Sequence, residues 1–538
     1  MSFSTLGGHS KFIPSRKEIL YGEDHTTSDT TKANAGQARQ TPAKKVHRRR
    51  FLKIAAAIGA LVTIPTCRPM VHLARTALND TDMRVPLPDT MVDDASQLNR
   101  TQVAQIWHIP DRAELAEDQM VQLLQDARTQ KLHIAIAGAR HTMGGHTIYP
   151  DGIALDMRAF KQHLLNEQTD RLWVQAGARW ADIIPYLNEH GRSIAVMQSN
   201  NSFTVGGSVN ANAHGWQHNH PPLASTVESC RVMLASGQIV PCSRTENREL
   251  FRLVVGGYGL FGVILDLQLR IVPNARYRLS SWVLPSAQYL EFYDRHVNQR
   301  KDAAMVFGRF DVSAPNFLHE ASLNVFYHDD GGTIPALTET GYKDIMRTLF
   351  RGSVGSEYGK QLRWNAEKAA FTANAGKIVS RNQLLHEGVE YFQNRSADST
   401  DILHEYFVPL PNLDAFLERL RIIIPQHQGD LLNVTIRHVL ADTDSLLRYA
   451  DQEVFGLVML FNQKRTQAAE QQMQRMTRDI IDAILELGGR YYLPYRLHAT
   501  AEQLHQAYPQ ARQFFALKRH YDREERFQNH FYQLYGQT

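Results

Sequence analysis

Cysteine is nearly absent from this chain. Cys67, Cys230 and Cys242 are the only three in 538 residues, an odd and sparse set, so no disulfide framework holds the protein together and none of them has the spacing of a zinc site. Long apolar runs are lacking as well. Residues 54–64, IAAAIGALVTI, fall short of the ~20 that a spanning helix needs. Charge of one sign is scarce, with a formal net charge of +4, and no basic face with interleaved aromatics stands out, which argues against a nucleic-acid role. A GxGxxG sequence running from a strand straight into a helix is also missing, and this sets aside a Rossmann dinucleotide fold.

The length suffices for two or more domains and a substantial core. Residues 1–47 are polar without an apolar period and read as disordered. RRRFLK at 48–53 then abuts the apolar run at 54–64, the twin-arginine pattern of an exported protein, with the signal placed at 48–66. That predicts a periplasmic or membrane-associated location, and the long polar stretch ahead of the motif leaves a membrane-retained form open. Residues 1–98 are taken as leader, and the globular part is expected from about residue 99.

One loop organises the globular part. Residues 132–138, LHIAIAG, read as a buried strand, residues 138–146 are GARHTMGGH, and YPDG turns into a second strand at 153–157. Gly138, Gly144 and Gly145 can turn successive N–H groups into an anion-binding concavity. Arg140 adds charge there, and His141 stands where a ligand would lie. GARHTMGGHTIYPDGIALDM resembles the first flavin-binding segment of the vanillyl-alcohol oxidase superfamily, the FAD-linked oxidases with a PCMH-type domain. In many members the matching histidine is bonded to the 8α-methyl of the flavin, so the resemblance implies a covalent link through His141.

The resemblance continues in order through TVGGSVNANAHG at 204–215, the hairpin around Ser236 and Gly237, and ELFRLVVGGYGLFGVI at 249–264. It implies that FAD is held by Gly138, Ala139, Arg140, His141, Thr142, Gly144, Gly145 and His146 in the loop. Thr204, Gly206, Gly207, Asn210 and Gly215 would form the second wall, and Gly257, Gly262, Val263 and Ile264 the third. His214, His218 and His220 invite a metal reading, but no carboxylate or cysteine accompanies them in residues 216–222, so a histidine-rich turn is favoured and no metal is expected.

Beyond Pro273 the glycines thin out and strands alternate with long helices, as in an antiparallel α+β sheet. The fold class is therefore α+β: a PCMH-type FAD-binding domain at 99–275, a substrate or cap domain at 276–484, and a closing segment at 485–538 that returns to the FAD domain. HEYFVP at 404–409 resembles the cap of aldonolactone oxidases, of the D-arabinono-1,4-lactone type, and of alditol oxidases. Their Glu-x-Arg corresponds here to Thr435-Ile436-Arg437, which keeps the arginine and loses the carboxylate. The closing segment resembles that of decaprenylphosphoryl-ribose oxidases. In cytokinin dehydrogenases the catalytic Asp corresponds to about Ser199.

A flavin takes hydride at N5 while a nearby group takes the hydroxyl proton. Candidates for that proton are His214, Tyr495, Lys518 and Glu405, with Arg437 or Arg496 holding negative charge. The expected function is an FAD-linked oxidoreductase acting on the CH–OH group of a polyol, sugar lactone or related alcohol, with oxygen or a respiratory chain as acceptor. A flavin-binding protein without turnover and a histidine-rich exported metal binder are the rivals.

Overall fold

The computed structural model describes residues 68–537 except 111, 112, 340, 342 and 391. The twin-arginine segment, the apolar run and Cys67 lie outside the described residues.

The strand that feeds the glycine loop, Ile134–Ala137, lies parallel to Ile153–Asp156, which lies parallel to Gln105–His108. All four residues of Ile153–Asp156 are buried, as expected for the central strand of a parallel sheet covered on both faces. One cover is the helix Ala113–Thr129, whose Ala116, Met120, Leu123, Leu124 and Ala127 recur at helical spacing and pack with Ile134, Ile153 and Leu155. The loop at 138–152 crosses between these strands without a helix.

A second, antiparallel sheet runs in the order Ile239–Ser243, Val227–Met233, Val263–Pro273, Arg171–Gln175, His163–Asn166. Cys230 and Cys242 oppose each other across its first hairpin as buried, free thiols. Three residues after Pro273 the chain enters a third sheet of eight antiparallel strands. Its order is Ile378–Ser380, Arg276–Pro285, Glu320–His328, Ala303–Phe310, Asp430–Val439, Val454–Lys464, Ser399–Pro409, Arg490–Tyr491. The helices Leu413–Gln426 and Gln467–Glu486 cover one face of it with Phe416, Leu417, Leu420, Met476, Ile480 and Ile484. The other face looks toward the glycine loop. The closing segment joins this sheet before it reaches the strand Ile134–Ala137, since Tyr491 pairs with Tyr406.

Folded structure begins earlier than residue 99. The helix Arg68–Asn79 buries Leu73 against Ile345, Leu349 and Leu362, and Asp80 accepts from Arg347 Nε at 2.5 Å and Nη2 at 2.6 Å. Residues 68–98 are thus part of the fold and not leader. Their partners lie some 270 residues away, which is why local polarity hid them. Among the described residues no helix is long and apolar enough to cross a membrane.

Candidate functional site

Three glycine-bearing segments meet because side chains are missing where they touch. A Cβ on Gly138 would sit 2.1 Å from Thr204 Oγ1, and one on Gly206 would sit 2.7 Å from Ala176 Cβ, so only glycine lets the loop and the second wall close on each other. Thr204 caps the short helix Val205–Asn210 by accepting from Gly207 N. Asn210 then reaches the third wall, its Oδ1 accepting from Gly259 N at 2.8 Å and its carbonyl from Tyr258 N at 3.1 Å.

The loop is also tied from outside. Gly145, with φ +68°, donates to Asp94 Oδ2 at 2.8 Å. Met143 N donates to Pro494 O at 2.9 Å. Arg496 Nη1 donates to Met143 O at 3.0 Å and Asn529 Nδ2 to His146 O at 3.0 Å.

Between the walls lies a cleft open to solvent. Of the expected cofactor residues, Gly138, Thr142, His146, Thr204, Gly206, Gly207, Asn210 and Ile264 line it. Gly259 of the GGYG cluster lines it as well, and so do Thr147, Ala211 and Tyr258, which were not anticipated. Tyr258 carries φ +54°, and its place between glycines in GGYG was the available signal. The remaining expected residues stand behind the lining. A Cβ on Gly144 would meet Tyr495 O at 2.3 Å, on Gly215 Met197 O at 1.9 Å, on Gly257 Leu253 O at 2.0 Å, and on Gly262 Met233 O at 2.7 Å. Val263 is buried in the core. Ala139 and Arg140 continue the loop, Arg140 at φ +55°.

His141 stacks on Phe203, ring centroids 4.1 Å apart and planes 21° from parallel. Burial lowers its pKa to about 4, so its imidazole is neutral at pH 7.

These residues fit FAD. The hydroxyls of Thr142 and Thr147 and two guanidinium nitrogens of Arg140 are buried without a protein partner, which calls for a polar ligand. The glycines leave a slot for a flat ring, and Ile136, Met157 and Ile264 give it an apolar floor.

Beside the cleft the cap sheet delivers a buried polar cluster. His214 Nε2 lies 2.5 Å from Glu405 Oε1, and Tyr495 OH donates to Glu405 Oε2 at 3.2 Å. His214 Nδ1 is buried and has no protein partner. Arg437 Nη2 donates to Ser199 Oγ at 2.9 Å and Nη1 to His214 O at 3.5 Å. Burial lowers the Arg437 pKa, and the nearby Glu405 charge opposes that shift. Burial raises the Tyr495 hydroxyl well above its ordinary value, and Glu405 adds to the rise. Tyr495 therefore stays protonated and serves as a donor, not as the base. Glu405, Val458 and Thr435 form one row across three strands, so a carboxylate stands in the row of Thr435 two strands away.

Two candidates lie elsewhere. Lys518, fully buried, forms an ion pair with Asp522 four residues on. Asp522 in turn accepts from the backbone of Arg526 and Phe527, both at 2.9 Å, where the chain pairs with Ile134. Lys518 thus secures the closing segment. Arg496 donates to Glu470 Oε1 at 2.9 Å and to Asn99 Oδ1 at 2.8 Å. It clamps the glycine loop to the cap helix Gln467–Glu486. Glu470 is held down at about 2, against the rise that burial imposes, by the hydrogen bond from His498 and the Arg496 charge.

The other two histidines of the turn part company with His214. His218 Nδ1 meets Tyr293 OH at 3.1 Å and His220 Nδ1 meets His218 O at 2.8 Å. Among the described residues no three His, Cys, Asp or Glu are grouped to hold a metal ion.

Burial lowers His141 and His218 to about 4 and His146 and His404 to about 3. Unfolding returns each toward its ordinary value of 6.5, so between these values the unfolded chain binds more protons. Stability is then full above about pH 6.5 and is lost as pH falls toward the folded values. Thermal melting at pH 7.5, 6 and 5 is expected to show a steady fall below pH 6.5, and an unchanged midpoint would contradict it.

Residues 116–243 match the family described as the FAD binding domain. The chain is 33% identical over 149 residues to cytokinin dehydrogenase 10 of Oryza sativa subsp. japonica, covering 26% of this chain and 27% of that enzyme. It is 24% identical over 230 residues to the L-gulonolactone oxidase of Bos taurus, covering 42% of this chain and 50% of that enzyme. These matches span half or less of the relatives' length.

Proposed function

The chain carries the FAD-binding domain of the PCMH-type FAD-linked oxidases, and from this premise we propose that it oxidises the CH–OH group of a small alcohol, a polyol, sugar lactone or related compound, at the cluster beside the cleft. The observation that carries the reading is the buried His214–Glu405 pair. With Glu405 as a carboxylate accepting at Oε1, the proton of His214 sits on Nε2 and Nδ1 has a free lone pair. Nδ1 is then the atom that takes the substrate hydroxyl proton. Glu405 orients the ring and stabilises the imidazolium that results, as carboxylates do for histidine bases generally. Tyr495 and Arg437 stabilise negative charge at the substrate oxygen. FAD, when bound, supplies the hydride acceptor at N5.

The name of the L-gulonolactone oxidase fits the sugar-lactone part of this reading, and that of the cytokinin dehydrogenase fits oxidation in general and not a CH–OH donor. Oxygen or a respiratory chain would receive the electrons. The rival reading, a flavin binder without turnover, rested on the carboxylate lost at Thr435, and Glu405 removes that ground.

The covalent link through His141 is part of the proposal. A neutral imidazole held by its stack on Phe203 suits a nucleophile, and a tethered cofactor suits export behind a twin-arginine signal. Acid-precipitated protein is expected to keep in-gel flavin fluorescence in the wild type and lose it in His141→Ala. Anaerobic addition of alcohols should then bleach the flavin of the wild type. Flavin that washes off both proteins would reject the tether, and flavin that no alcohol bleaches would reject the oxidation.

A further inference from the structure

The sheet face turned toward the glycine loop is ordered in rows. Phe407, Gly456 and Arg437 form one, Glu405, Val458 and Thr435 the next, and Leu403, Leu460 and Asn433 the third. This is the reactive face, because Glu405 meets His214 there and Leu403 N lies 3.2 Å from Met143 Sδ of the loop. The alternating residues, such as Tyr406 against Phe416, point to the cap helices instead.

In these strands the apolar side chains are almost all buried, yet Leu403, Val458 and Leu460 keep part of their surface open. They lie side by side, starting next to Glu405. The polar groups nearby are already committed to one another. Asn433 Oδ1 accepts from Arg309 Nη1 at 2.6 Å, and Asn433 Nδ2 donates to Thr435 Oγ1 at 2.9 Å.

Resting on the alcohol-oxidising reading of this site, and narrowing it from polyols and sugar lactones to the related alcohols, we infer that Leu403, Val458 and Leu460 form a subsite for an apolar body, so that the substrate is an alcohol with a hydrocarbon or aryl group next to its CH–OH carbon and not a chain of hydroxyls. A hydroxylated chain laid on this strip would give up water and find no donor or acceptor in exchange. A hydrocarbon would gain by leaving water. The reacting hydroxyl falls to His214, and Arg437, whose Nε is buried without a partner, takes any acceptor at the far side.

The test uses the FAD-loaded protein, anaerobic flavin bleaching, and two probe sets, cinnamyl alcohol and 1-hexanol against xylitol and sorbitol. The apolar alcohols are expected to be preferred in kcat/KM by at least about tenfold. Leu460→Asp should lower that value for the apolar probes by about 10–200-fold, mainly through KM, with the polyols changed far less. Leu460→Ala, which adds no charge, should lose about tenfold in the same direction. A second measurement follows binding of cinnamamide, which has no alcohol to oxidise, through the flavin absorption spectrum. It should bind the wild type and bind Leu460→Asp at least about tenfold more weakly. Preference for polyols, equal losses for both probe sets, or variants that shed FAD would overturn the subsite while leaving alcohol oxidation standing. If no alcohol bleaches the flavin, oxidation fails, and the cinnamamide titration still decides the subsite: weakened binding in the variant supports it, and no binding to the wild type overturns it.

Discussion

His214→Ala is expected to lower the rate of flavin bleaching by alcohols by about 10²–10⁴ with the yellow colour retained, since a general base contributes on that scale. His214 lies outside the lining of the FAD cleft, and its ring is packed among Phe407, Tyr449 and Tyr492 at 5.5–6.2 Å between centroids, so its loss should leave cofactor loading largely intact. Glu405→Gln separates two roles. Glutamine is close in shape but neutral, and its amide can present either donor or acceptor to His214, so the tautomer is no longer enforced and the imidazolium loses its counter-charge. The expected result is a large loss in kcat, smaller than that of His214→Ala, since the ring keeps its place but loses the group that orients and counter-charges it. Tyr495→Phe keeps the base and removes one donor, and its loss should be the smallest of the three. Stopped-flow reduction of the flavin across pH 6 to 9 would check the order. A His214→Ala protein that bleaches at the wild-type rate would place the base elsewhere.

The contrast between His214 and Lys518 marks what the sequence made legible. Glycines declare themselves, because a close approach such as Gly138 against Thr204 tolerates no side chain whatever the distant context. The three glycine-bearing segments and the strand, loop, turn and strand around residues 134–156 could therefore be read in order. The strands at 399–409, 430–439 and 454–464 were legible from their apolar runs, but their register was not. That register is what brings Glu405 within 2.5 Å of a histidine 191 residues away, and nothing local to Thr435 announces it.

Charge, by contrast, does not name its partner. Lys518 and Arg496 lie in segments that do close the site, and residue type alone could not tell a proton carrier from a clamp. Asp522 stands one helical turn after Lys518, so that ion pair was within reach of local spacing. Asp94, which fixes Gly145, and the helix Arg68–Asn79 gave no such local hint, since each is explained by contacts made across the fold.

The glycine loop supplies the other large effect. Gly145→Ala is expected to yield protein that retains little FAD, read as the ratio of flavin to protein absorbance after purification. Two costs combine there. Gly145 has φ +68°, a left-handed conformation that costs an L-residue roughly 1–2 kcal/mol. An added Cβ would also sit 2.2 Å from His530 Nδ1 and 2.9 Å from His530 Cβ, too close to be absorbed by turning a flexible tip. His530 would have to move, and it begins the helix His530–Tyr535, next to Asn529, which donates to His146 O at 3.0 Å and to Tyr258 O at 2.9 Å. Those two bonds tie the first wall of the cleft to the third. Displacing His530 therefore opens the cleft as well as bending the loop. Gly191→Ala isolates the backbone term, because Gly191 has φ +64° with nothing within 4 Å of its added Cβ. That variant should melt a few degrees lower and stay yellow. If Gly145→Ala behaves like Gly191→Ala, backbone strain is its only cost, and the contact with His530 plays no part in holding the walls together. If it loses colour as argued, the closing segment of the chain is as much a part of the FAD site as the glycines themselves.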